Sequence, residues 1–143
     1  MKRLAYIFLA ALMLLGASSC KKDKKKSAVD VTGQWELFDL TTKSITVDGT
    51  EISVYVEFAK DNTFTLYQML GQGRYRRYTG TWTLSNGVLS GKYSDKKAWG
   101  ASYNVSKEDG FLILEDVEKG TETTTYKSTT IPSSVTSNAY DAI

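Results

Sequence analysis

"ISVYVEFAKDNTFTLYQML", residues 52 to 70, keeps a period of two on both sides of a short polar break. Ile52, Val54, Val56 and Phe58 fall on one face of an extended chain, and Ser53, Tyr55 and Glu57 fall on the other. "KDNT" then supplies turn residues, and Phe64, Leu66, Gln68 and Leu70 share a face in the segment that follows. The stretch reads as two antiparallel strands with one apolar face, and Gln68 is the only polar residue on that face.

The flanking sequence repeats the pattern. "GQWELFDLTT" comes before it, and "RYRRYTGTWTLS", "VLSGKYS", "ASYNVS", "FLILEDV" and "TETTTYKS" come after, giving eight main strands. "SITVDGTEI" adds a short hairpin around Asp48-Gly49. Asn86-Gly87 is a strong hairpin signal, because a type I′ turn needs positive φ at both central positions. Short connections imply antiparallel neighbours. The expected fold is all-β, an antiparallel up-and-down meander closing as an eight-stranded barrel, which leaves no exposed edge. Such a barrel holds side chains or one small ligand. Pro132, the sole proline, follows the last of these strands and interrupts no ladder.

The N-terminus has a different character. Met1-Lys2-Arg3 is basic, Leu4 to Leu15 is almost continuously apolar, and Gly16-Ala17-Ser18-Ser19 is small, the order of an export signal. The apolar run falls short of the roughly 20 residues a spanning helix needs. Ser19-Cys20, preceded by Ala17 and Ser18, resembles the lipobox of bacterial lipoproteins, although leucine is commoner where Ala17 stands. That resemblance implies acylation of Cys20 and cleavage before it. The alternative is a secretory signal followed by an unpaired thiol, a liability in an oxidising compartment. Lys21, Lys22, Lys24, Lys25 and Lys26 would lie among anionic headgroups, or serve simply as a solvated tether. The expected organisation is a signal peptide at 1–19, a lipidated cysteine with its lysine-rich tether at 20–30, a barrel at 31–128 and a tail at 129–143. The expected location is the bacterial cell envelope, anchored in the outer membrane on its periplasmic face. Surface-export signals in the lipoproteins it resembles are acidic after the cysteine, and "KKDKKK" is the reverse.

The net charge of +2 hides a division. Residues 1 to 26 carry seven of the eighteen basic and one of the sixteen acidic side chains, leaving eleven against fifteen, or −4, in the remainder. No broad basic field is left for nucleic acid. The chain has no histidine, and Cys20 is its one cysteine, so the exported domain lacks His and Cys metal ligands, a Ser-His triad and a Cys nucleophile. The adjacent carboxylates Glu108-Asp109 and Glu115-Asp116 point to opposite faces of a strand and make no glycosidase dyad by themselves. Glu57 and Asp61, near a strand end, have no partner that the sequence identifies. The domain is read as non-catalytic, with no cofactor and no metal.

"TGQWEL" at 32 to 37 and "TGTWTL" at 79 to 84 share the form Thr-Gly-x-Trp-x-Leu. Either both tryptophans are core, or the glycine admits a bulky neighbour while the indole closes part of the barrel. Gly33-Gln34-Trp35 is similar to the Gly-x-Trp signature of lipocalins. The series Gly33-Trp35-Leu37, Phe58-Asp61-Thr63-Phe64, Gly80-Trp82-Leu84 and Asn86-Gly87-Leu89 resembles the lipocalin-like domains of Bacteroides-type bacterial lipoproteins over roughly residues 30 to 128. The resemblance implies a barrel or half-open barrel whose interior takes a small hydrophobic molecule. Two departures stand out. The Thr-Asp-Tyr signature is absent, and no late arginine is available to pack across the first tryptophan, Lys127 being the nearest basic substitute.

The candidate ligand-binding residues are Trp35, Gln68, Arg76, Tyr78 and Trp82. Parity places Arg74, Arg76 and Tyr78 on the same side as Trp82 unless Gly80 marks a bulge. An inward Arg76 with Gln68 and Tyr78 would give an apolar pocket a few polar anchors, suited to a carboxylate. In the other reading these arginines lie at the rim in water. Trp99, beside a turn, either caps an open end or is exposed. Tyr55, Tyr67 and Tyr75 fall on outer faces. They support the alternative function, an envelope interaction module with a filled barrel that docks a protein or glycan partner. The tail after Pro132 either covers a barrel end or stays mobile.

Overall fold

The computed structural model describes residues 29–38, 45–47, 49–120 and 122–143. The signal segment, Cys20 and the tether up to Ala28 lie outside the described residues, and so does the expected turn residue Asp48. The strands are β1 (Gly33–Leu37), β2 (Ile45–Val47), β3 (Thr50–Phe58), β4 (Thr63–Leu70), β5 (Arg76–Ser85), β6 (Val88–Tyr93), β7 (Tyr103–Glu108), β8 (Phe111–Asp116) and β9 (Thr123–Ser128). A short helix, α1 (Ser133–Thr136), and a two-residue strand, β10 (Tyr140–Asp141), follow.

Neighbours pair from β3 through to β9, β9 pairs β1, and β1 pairs back to β3. That last pairing closes an eight-stranded antiparallel barrel from β1 and β3–β9, the architecture the alternation implied. β2 hangs on β3 as the expected small hairpin, and β10 adds to β5 in parallel. A strand therefore does follow Pro132, which caps the start of α1. The hairpin turns match their residues. Asn86 and Gly87 have φ of 53° and 78°, and Asp109 and Gly110 have 50° and 83°, the left-handed pairs that I′-type turns require.

Register runs unbroken through Gly80, from Thr63↔Thr81 to Gln68↔Arg76 on one side and from Gly80↔Tyr93 onward on the other. Gly80 is no bulge. Its absent side chain permits close approach instead, since a Cβ there would lie 2.0 Å from the Lys92 carbonyl oxygen and 2.7 Å from the Phe64 ring. Phe64 and Tyr93, on either side of Gly80 in the same register row, can thus meet edge to face at 5.8 Å. Gly91 does similar work for Trp99, whose ring lies 2.5 Å from where a Cβ would be.

The barrel has two kinds of end. At one, tight turns join β3 to β4, β5 to β6 and β7 to β8, and residues 29–32 enter β1 there. At the other, the longer connections 71–75, 94–102 and 117–122 join the remaining pairs. β6 and β7 pair only through Val88↔Asn104 and Leu89↔Tyr103 before the 94–102 connection turns away.

Candidate functional site

Aromatic side chains fill the tight-turn end. The Trp35 indole donates its N–H to the Val31 carbonyl at 2.9 Å, and the Trp82 indole donates to the Thr63 carbonyl at 2.9 Å. Each ring is thereby buried with its one donor satisfied. Phe58 stands edge-on to Trp82 with centroids 5.9 Å apart. Trp99 reaches Phe64 at 5.2 Å and Phe58 at 6.4 Å. It is 5 % exposed and lies within the main core, so it is not a surface aromatic. The two Thr-Gly-x-Trp-x-Leu phrases put both tryptophans in this floor, but for different reasons. Gly33 adopts φ of 130°, whereas Gly80 is the close-packed position.

Lys107 Nζ lies 5.4 Å from the centre of the Trp35 ring, a cation–π contact. The basic group across the first tryptophan is therefore Lys107 on β7. Lys127, expected in that place, lies over Phe38 at 5.6 Å.

The long-connection end differs. Val54, Gln68, Arg76 and Tyr140 form one register row across β3, β4, β5 and β10, with Ile52 and Leu70 in the next. Arg76 Nε donates to the Tyr140 hydroxyl at 3.1 Å. That contact, and a smaller one with Tyr78, stabilises the guanidinium cation and raises its pKa above the ordinary value. Arg77 faces outward, where it pairs with Asp141 at 2.7 Å. Arg76 has no carboxylate partner among the described residues. Arg74 lies before β5 and is exposed, held by the Asn138 carbonyl and over the Tyr140 ring, so it does not join the interior.

Gln68 is 2 % exposed, and its Oε1 has no hydrogen-bond partner among the described residues. Leaving a buried amide oxygen unpaired costs about 1–3 kcal/mol, while a leucine of similar size would carry no such penalty. Further round the wall, burial pushes the Tyr103 and Tyr126 phenols well above their ordinary value, and neighbouring Tyr93 reinforces both. Asp116 is buried near Tyr103, but its Oδ1 accepts from the Glu118 and Lys119 amides at 2.8 and 2.9 Å. Its carboxylate is committed to the β8–β9 turn. Glu57 accepts from the Gln34 amide, whose Oε1 in turn accepts from the Ile131 N–H at 2.8 Å. Asp61 accepts from Thr63 in the β3–β4 turn. No group of three acidic side chains able to hold a metal occurs among the described residues.

The outer wall is not bare. Residues 129–142 leave β9 and cross it, placing Ile131 and Val135 with Tyr67 in a second apolar cluster against which Tyr55, Tyr75 and Ala139 pack. Tyr55 and Tyr75 rings lie 6.0 Å apart beneath this cover, and the Tyr75 hydroxyl bonds Ser53 at 3.0 Å. The tail thus covers the tyrosine face and then, through β10, reaches the long-connection end of the barrel. Ala142 then packs against the main core.

Of the sequence-derived candidates, Gln68, Arg76 and Tyr78 come together, while Trp35 and Trp82 belong to the floor at the other end. Cys20 lies outside the described residues. Tyr140 was missed, its only signal being the one aromatic in the tail. A family model described as a lipocalin-like domain matches residues 31–133. No curated protein matches the chain.

Proposed function

The chain belongs to the lipocalin-like domain family, and from that premise we propose that it is a lipid-anchored, extracytoplasmic carrier of a small hydrophobic or amphipathic molecule. The family is generally a non-enzymatic binding fold, and this member is read as performing no chemistry on its cargo. The carrying observation is the polarity of the inner wall, which grades from an aromatic floor to an aliphatic end bearing Gln68 and Arg76. Ligand sites tend to be apolar with a few converging polar groups, and this end has that composition. With so many rings filling the floor, the cargo sits among Ile52, Val54, Leu70, Gln68 and Arg76 and is small.

Anchoring rests on the sequence of residues 1 to 26, with membrane lipid as the partner through acylated Cys20, on the periplasmic face of an outer membrane. Two or more acyl chains on one residue make a stable anchor where one is marginal. The competing reading, docking of a protein or glycan by the outer face, loses its best surface, because the tail occupies Tyr55, Tyr67 and Tyr75.

Native mass spectrometry of the full-length protein, released gently from detergent after expression in an envelope-bearing bacterium, tests both halves. A covalent mass increment that disappears in Cys20→Ala supports the anchor. A reproducible non-covalent adduct lost on denaturation supports the carrier and gives the cargo's mass. An unmodified, empty protein after exposure to an envelope lipid extract would count against both.

A further inference from the structure

Resting on the carrier reading, the unmet groups at the polar end specify the cargo's head group. Arg76 and Arg77 are consecutive, yet only the outward one has an anion, the Asp141 carboxylate. Arg76, half-exposed at the barrel mouth, meets the neutral Tyr140 phenol at Nε and no carboxylate among the described residues. Directly across the strand pair, Gln68 presents a buried amide oxygen with no donor. Turning that amide over would only exchange an unmet acceptor for an unmet donor in the same place. Unpaired buried polar atoms are rare in native proteins and call for an explanation. Here that atom is the Gln68 oxygen, and it and the half-exposed Arg76 cation beside it are complementary to one ligand.

We infer that the cargo is an aliphatic amphiphile whose head group carries a carboxylate for Arg76 and, a few bonds away, an O–H or N–H donor for Gln68. Facing residues of an antiparallel pair have Cα atoms roughly 4.5–5.5 Å apart. The charge and the donor must therefore be close neighbours on the ligand, as in a 3-hydroxy acid or an N-acyl amino acid. The aliphatic part lies along Val54, Ile52 and Leu70, which share that face. Arg76 selects charge, and Gln68 selects the second group. A plain fatty acid leaves the amide unmet, and a plain alcohol leaves the guanidinium unmet.

Full-length protein held in lipid nanodiscs would be titrated with 3-hydroxyoctanoate, N-hexanoylglycine, octanoate and octanol, with empty nanodiscs subtracted. Octanoate should bind at least about tenfold more weakly than the better of the two donor-bearing acids, because a site built to bond a donor rejects an analogue lacking it. Octanol should bind more weakly still. Gln68→Leu should abolish the preference for a donor while keeping octanoate bound. Arg76→Met should abolish the preference of octanoate over octanol. Equal affinities for all four probes in the unaltered protein, or a donor preference that survives Gln68→Leu, would overturn the assignment while leaving the carrier reading intact. Failure of all four probes, and of a neutral apolar dye, to bind at all would overturn both.

Discussion

The two ends of this barrel are built from the same strands and solve opposite problems. At the tight-turn end the Trp35 and Trp82 indoles donate to backbone carbonyls, rings meet edge to face, and glycines open room for them. At the long-connection end the Gln68 amide oxygen is buried without a partner, and Arg76, half-exposed beside it, lacks a carboxylate. One end is optimised for stability and the other gives some of it up, which is how binding sites commonly differ from the cores that support them.

That contrast can be attacked by experiment. The largest effect should come from alkali. Burial first, and the neighbouring Glu36 next, push Tyr55 from 10.0 up to about 12, and Tyr103 and Tyr126 are raised further. A phenol whose folded pKa is raised contributes stability that is complete below its unfolded value and lost as pH rises through the folded one. Melting temperature should therefore hold level below pH 10 and fall steeply above it, with phenolate absorbance appearing together with unfolding. Phenolate formation well before loss of structure would show that these tyrosines are not buried as described.

Next, Phe58→Ala should cost about 4 kcal/mol in urea unfolding, because a fully buried ring is removed from between Trp82 and Trp99. At the opposite end, Gln68→Leu should raise the stability of the empty protein by about 1 kcal/mol, since it removes an unpaired buried amide. A loss there would mean that the two ends are alike and that Gln68 is a structural residue. The smallest effect is expected at Lys107, which is exposed over Trp35. Lys107→Gln should cost about 0.5 kcal/mol, measurable against Lys127→Gln as a control that leaves Trp35 untouched.

Much of this was legible in the chain. Period-two alternation from Ile52 to Leu70 assigned inner and outer faces correctly, and Asn86-Gly87 announced its turn. Gln68 stood out as a polar residue on an apolar face, although alternation cannot tell whether a partner waits across the barrel. Parity put Arg76 on the side of Trp82 and left open whether it reached the interior or the rim, while the phenol that meets it comes from Tyr140, 64 residues later. Trp99 enters the core because Gly91 leaves space, a relation between a connection and a strand that no local pattern encodes. The tail was opaque for the same reason. Its apolar residues, Ile131 and Val135, are too few to show a face until Tyr67 supplies the other half.

Val29 packs into the core beside the aromatic floor, so the chain enters the barrel from that side. Eight residues separate it from Cys20, a leash of about 30 Å at full extension. Were Cys20 the anchor, as proposed, the floor would be the end from which the tether leaves, and the polar end would lie opposite it. Loading and unloading would then take place from the aqueous side. A molecule moving between this barrel and the membrane beneath it would have to leave through water or be handed to a partner arriving from above.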